Sequence, residues 1–170
     1  MCAIHPAGVS RRMFTTMLAG GAVGLSLRRA NAAGSVAALA ITCIDYRLVD
    51  DATRFFDTMK LTNNYDLVAL AGATLAATSN KFPSSNAAFW DHIAIAKQLH
   101  SIGKVILVDH RDCGAYRVAL NAPANMARDP ETAMHKKEMD TLKAEIAKRH
   151  PDLASEFYLM DLDGKTARII

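Results

Sequence analysis

Lys104 to Asp109, KVILVD, is an apolar, β-branched run too short for a helix and stopped on both sides by polar or turn-forming residues. Such a run belongs in a strand buried on both faces. Three further segments read the same way: Ser35 to Thr42 (SVAALAIT), Tyr65 to Leu70 (YDLVAL) and Glu156 to Leu162. Helical patterns separate them. Asp50 to Lys60 carries Phe55, Phe56 and Met59 on one face, with core positions Phe89, Ile93 and Ala96 in a second helix that Ser85 or Asn86 would cap and Gly103 would stop. A short helix is expected over Ala115 to Asn121, and a long charged one from Asp129-Pro130-Glu131 to about His150, with Pro151 past its end. Thr74 to Ser84, small and polar, reads as loop. Strands alternating with helices imply an α/β fold with a mostly parallel sheet covered on both faces. Asp163-Gly164 adds a hairpin signal, so Lys165 to Ile170 is expected as a short antiparallel edge strand at the C-terminus.

In such sheets ligands bind beyond the carboxyl ends of the strands. Two of those ends carry unusual chemistry. The first strand runs into ITCIDYR, which sets Cys43, Asp45 and Arg47 at alternate positions. If the strand continued that far, all three would share one face. The third strand ends in His110-Arg111-Asp112-Cys113-Gly114. Cys43, His110 and Cys113 together form a sulfur-nitrogen-sulfur donor set of the kind zinc prefers, with three protein ligands leaving a fourth position for water or substrate. The competing readings are a Cys43–Cys113 disulfide, two buried thiols, and an ordinary surface ion pair between Asp45 and Arg47. Asp112 reads as a turn residue or hydrogen-bonding neighbour of the ligands, and Tyr46 and Tyr116 as pocket-lining or packing side chains. His92 and His100 are candidate proton carriers, though a solvated helix face suits them as well.

Cys43-x-Asp45-x-Arg47 followed by His110-x-x-Cys113-Gly114 resembles the motif pair of the β-class carbonic anhydrases. The resemblance covers roughly Ser35 to Asn121 by motif and the remainder by the order of elements. It implies a β-carbonic-anhydrase-like fold, and Zn²⁺ held by Cys43, His110 and Cys113. It also implies a catalytic dyad of Asp45 and Arg47 and the reversible hydration of carbon dioxide to bicarbonate. In the family the counterpart of Asp45 also ligates zinc in a closed state, so Asp45 stands as a fourth ligand there. A homodimer or tetramer is likewise implied. Departures are plain: where the family's second strand commonly ends Arg-Asn-Ala-Gly-Asn, this chain has Ala69-Leu70-Ala71-Gly72-Ala73, and Ile44 and Tyr46 stand where small residues are usual. The family's N-terminal helices are expected to be missing. The changed second strand leaves room for a hydrolase of carbonyl sulfide or carbon disulfide on the same zinc site. Outside that chemistry stand a zinc-binding protein without turnover and a disulfide-stabilised domain without metal.

Charge and leader set the surroundings. The formal net charge of +3 comes from residues 1–32, which hold Arg11, Arg12, Arg28 and Arg29 and no acid; residues 33–170 carry about −1. That balance gives no electrostatic reason to bind nucleic acid or an anionic membrane. Ser10-Arg11-Arg12-Met13-Phe14, an apolar run from Met13 to Leu27 and Ala30-Asn31-Ala32 occur in the order of a twin-arginine export signal with its cleavage site. The run is too short and glycine-rich for a stable membrane span. The expected organisation is therefore a signal over residues 1–32, a zinc domain over 33–170, and a periplasmic location.

Overall fold

The protein was analysed as a computed structural model, which describes residues 34–170; the export signal expected over residues 1–32 lies outside the described residues. Five strands form one sheet there: β1 (Ala38–Thr42), β2 (Tyr65–Ala69), β3 (Lys104–His110), β4 (Ala154–Met160) and β5 (Thr166–Arg168), in the spatial order β2-β1-β3-β4-β5. β1 to β4 pair in parallel, and β5 returns antiparallel to β4. The connecting helices are α1 (Val49–Thr58), α2 (Thr74–Thr78), α3 (Pro83–His100), α4 (Gly114–Leu120) and α5 (Arg128–Arg149).

The α/β architecture with a parallel sheet and an antiparallel C-terminal strand follows from the alternation of apolar runs and helical patterns. Alternate strand residues go to opposite faces. Leu39, Ile41, Val105, Leu107 and Phe157 pack with Phe89, Ile93 and Ala96 of α3 and Met139, Leu142 and Ile146 of α5. Ala38, Ala40, Ile106, Val108 and Met160 face the other way, against Ala52 and Phe56 of α1. The small alanines of β1 leave room on that side for Phe56, whose ring also lies 4.9 Å from that of Tyr65. Among the described residues, no helix is long and apolar enough to cross a membrane.

β1 and β5 are shorter than the runs expected for them, and four other local boundaries differ from the sequence reading. Thr74–Thr78 is a buried helical turn instead of a loop: its residues are small because Thr74, Leu75, Ala76 and Ala77 lie inside, against α3 and α5. α3 starts with Pro83 in its first turn rather than at a Ser85 or Asn86 cap, and Asn86 donates instead to the carbonyl of Ala77. Ser101, with φ +52°, takes the left-handed position after α3 that was expected of Gly103. β4 covers Ala154–Met160, two residues before the expected run.

Phe157 is fully buried. Phe157→Ala should cost about 3–5 kcal/mol by urea denaturation, the range for an aromatic side chain deleted from a core. Ile95→Ala on the exposed side of α3 should stay within about 0.5 kcal/mol.

Candidate metal centre

β1 ends at Thr42, so the strand does not run through ITCIDYR. The backbone turns after Cys43, and Asp45 caps a single 3₁₀ turn, Tyr46–Leu48, by accepting the backbone N–H of Arg47 at 3.1 Å. Arg47 folds back onto its own cap: Nε donates to Asp45 Oδ1 at 2.9 Å and Nη2 to Oδ2 at 2.8 Å. The dyad is thus built by a turn, where strand alternation had suggested a shared face. The remaining guanidinium nitrogen reaches Asp112 Oδ2 at 3.0 Å, tying the β1 turn to the β3 turn.

β3 delivers His110 from its last position, and the chain then turns through Asp112, whose φ of +54° lets Cys113 point back. Ligand atoms of Cys43, His110 and Cys113 lie within 4.8 Å of one another. The two sulfurs are 3.9 Å apart and both cysteines are free, so no disulfide joins them. His110 Nδ1 donates to the carbonyl of Arg111 at 2.8 Å, which fixes the tautomer and leaves Nε2 as the lone-pair donor. That Nε2 is buried and has no hydrogen-bond partner. Asp45 Oδ2 lies 3.8 Å from it.

Electrostatics follow from these contacts. The S–H of Cys113 against Cys43 lowers the Cys43 thiol; burial opposes this, and His110 and the Gly72 amide, 3.3 Å from Sγ, reinforce it. Cys113 is pushed up in turn, by Cys43 first and then by burial. Burial works against a charge on His110, but the neighbouring Cys43 prevails and raises its pKa. Hydrogen bonding from Arg47 holds Asp45 down at about 2. Asp112 is also lowered, by Arg47 first and by Arg117.

Cys43 borders two hollows. A cavity of about 200 Å³ on the α1 side is lined by Ile44, Val49, Leu67, Ala69 and Met160 as well as His110. A more open cleft holds Asp45, Tyr46, Phe82 and Val118. Tyr46 is 87% exposed beside that cleft, whereas Tyr116 is buried and turns its hydroxyl to Asp109 at 2.7 Å. His92 is spent on the carbonyl of Ala88, and His100 on Asp66. The sequence reading placed Glu131 at the opening of a long charged helix and assigned no role to it or to His135. Both are buried on α5. Glu131 accepts the Asp112 N–H at 2.7 Å and an Arg111 N–H at 3.0 Å, holding the turn between His110 and Cys113. The signal was their spacing: Glu131 and His135 precede Met139, Leu142 and Ile146 on one helical stripe.

The family model described as "Putative carbonic anhydrase" matches residues 33–149. An uncharacterized protein of Rickettsia conorii is 33% identical over 131 residues, covering 77% of this chain and 70% of its own. Another from Rickettsia bellii is 32% identical over 131 residues, covering 77% and 80%. Among solved structures, the β-carbonic anhydrase CafA of Aspergillus fumigatus superimposes with a TM-score of 0.51 at 13% identity, over 81% of this chain and 77% of that one, a likeness of fold.

With Asp45 held at about 2 by Arg47, its contribution to stability is complete above its unfolded pKa of about 3.9 and is lost as pH falls through the folded value. Chelator-treated protein should therefore lose stability between about pH 4 and pH 2, and Asp45→Asn should flatten that part of the curve. The same change of unfolding free energy with pH in the two proteins, from denaturant titrations at each pH, would contradict the assignment.

Proposed function

The chain belongs to the carbonic anhydrase family, and on that premise we propose that it catalyses the zinc-dependent reversible hydration of carbon dioxide to bicarbonate. One observation carries the reading: His110 Nε2 is buried without a partner and faces two sulfurs that are 3.9 Å apart and not bonded to each other. A buried polar atom left without a partner costs on the order of 1–3 kcal/mol, and a metal ion removes that cost while drawing both thiols into the ionised form. Cys43, His110 and Cys113 would hold it. Zinc bound there supplies a water acidic enough to lose a proton near neutral pH.

The rest of the work falls to the chain. Asp45, ionised and clamped at both oxygens by Arg47, is an acceptor that orients the attacking water's proton away from the carbon. Arg47 is itself fixed by Asp112, so the acceptor costs little reorganisation during the reaction. The apolar cavity beside Cys43 and His110 takes an uncharged substrate without stripping hydrogen bonds from water. Once bicarbonate forms, its charge favours departure from apolar walls.

Purified protein lacking residues 1–32 should contain about one zinc per chain by metal analysis, and Cys43→Ser or Cys113→Ser should lose most of it. Asp45→Asn should keep zinc and lose hydration by roughly 10²–10⁴-fold in stopped-flow assays. Unchanged hydration in that variant would sink the role given to Asp45.

We also propose that residues 1–32 direct twin-arginine export to the periplasm, on the order of motif, apolar run and cleavage site. Export in the folded state would let both thiolates bind zinc before meeting an oxidising compartment. Arg11→Lys combined with Arg12→Lys should leave folded, zinc-loaded protein in the cytoplasm on fractionation; full periplasmic yield would refute the route.

A further inference from the structure

Asp109 is 1% exposed and directly precedes His110, so strand alternation sends its carboxylate to the other face of β3. It accepts three hydrogen bonds in the interior. The Thr74 N–H reaches Oδ1 at 2.9 Å, while the Tyr116 hydroxyl at 2.7 Å and His135 Nδ1 at 2.9 Å both reach Oδ2. His135 is fully buried on α5, and its ring lies 4.0 Å from that of Tyr116. A carboxylate inside a protein is costly unless its lone pairs are filled. Here they are filled from three separate elements.

Those elements are the ones that carry the ligands. Thr74 follows two residues after Gly72, whose amide donates to Cys43 Sγ at 3.3 Å. Tyr116 follows three residues after Cys113, on the helix that Cys113 caps. Asp109 is bonded through the backbone to His110. One buried carboxylate thereby sets the position of the Cys43 donor, the His110 strand end and the Cys113 helix, and α5 braces it through His135. An apolar residue could fill the space but could not fix three directions at once.

We infer that Asp109, braced by Tyr116 and His135, is the positioning residue of the metal centre: it acts through the three ligands and touches neither metal nor substrate. This rests on the metal-binding reading above. Asn at 109 offers one carbonyl oxygen where the carboxylate offers two, so it cannot accept from Thr74 on one side and from Tyr116 and His135 on the other. Loss of such a partner typically weakens metal binding 10–100-fold.

The test uses the full chain, with zinc affinity measured by competition against a chromophoric chelator and the cobalt-substituted protein examined by absorption. Asp109→Asn should bind zinc 10–100-fold more weakly and shift the sulfur-to-cobalt charge-transfer band. Tyr116→Phe removes one donor and keeps the ring; it should move both readouts in the same direction by a smaller amount, and it decides the matter should Asp109→Asn fail to fold. Ile146→Val, a core change on α5 away from the network, should lower the melting temperature without moving either readout. Zinc-loaded wild type with unchanged affinity and cobalt spectrum in the variants would overturn this inference alone. A wild type that takes up neither metal would overturn the metal-binding reading, and this inference with it.

Discussion

Backbone hydrogen bonds pair β1 with β3 in parallel, from Leu39 opposite Val105 to Thr42 opposite Val108, so Cys43 leaves one strand at the level where Asp109 and His110 finish the other. The two donors are remote in sequence, and the sheet register alone brings them together. β2 ends at the same level, with Thr42 opposite Ala69, which sets the Gly72 amide beside Cys43. A slip of one residue would exchange the two faces of β3. It would turn Asp109 toward α1 and His110 toward α5, and the sulfur-nitrogen-sulfur set would not form. The core enforces the register, because Val105 and Leu107 must meet α3 and α5 while Ile106 and Val108 meet α1.

Around that register, charged groups do what apolar packing cannot. The segment from His110 to Cys113 is a turn with a left-handed residue at Asp112, and turns are held by hydrogen bonds more than by burial. Arg111 spreads its guanidinium over Asp161, Glu131 and Thr132. Glu131 accepts the Asp112 amide, and Arg47 and Arg117 take the Asp112 carboxylate. Such networks are worth little when exposed. Arg111 and Glu131 are mostly buried here, with side chains 13% and 10% exposed, where each bond is stronger and an unmade one more costly.

Much of this was legible in the sequence, and the illegible part has a physical pattern. Strand runs such as KVILVD and the helix stripe Phe89, Ile93, Ala96 could be read because burial on a fixed period leaves a one-dimensional trace. The candidate ligands could be read because cysteine is scarce in this chain and the spacing after His110 is short. Thr74–Thr78 was missed because small residues inside a crowded junction have the composition of a loop. Asp45 and Arg47 could be paired from sequence, but the 3₁₀ turn that pairs them could not. Their meeting depends on Asp45 capping the turn that holds Arg47, a contact with no periodic signature. Glu131 and His135 were hidden for a related reason: buried polar groups on a charged helix look solvated until their partners are known.

The altered stretch Ala69 to Ala73 shows which part of the second-strand motif is backbone and which is side chain. Gly72 has φ +77°, and a Cβ there would lie 3.0 Å from the Cβ atoms of both Ala115 and Leu75. Only glycine satisfies that position without strain, and its amide is the one that meets Cys43. The polar side chains of the family pattern are absent around it: Ala69 lines the cavity and Leu70 packs against the core. Polar groups reach the site instead from the turns after β1 and β3 and from α4, through Arg47, Asp112 and Arg117. The site therefore has one apolar wall and one charged rim. Low polarity on the first side strengthens the field that the second exerts on Asp45. That asymmetry is the arrangement the proposed reaction would call for, with an uncharged substrate meeting the apolar wall and an anionic product gaining nothing from it.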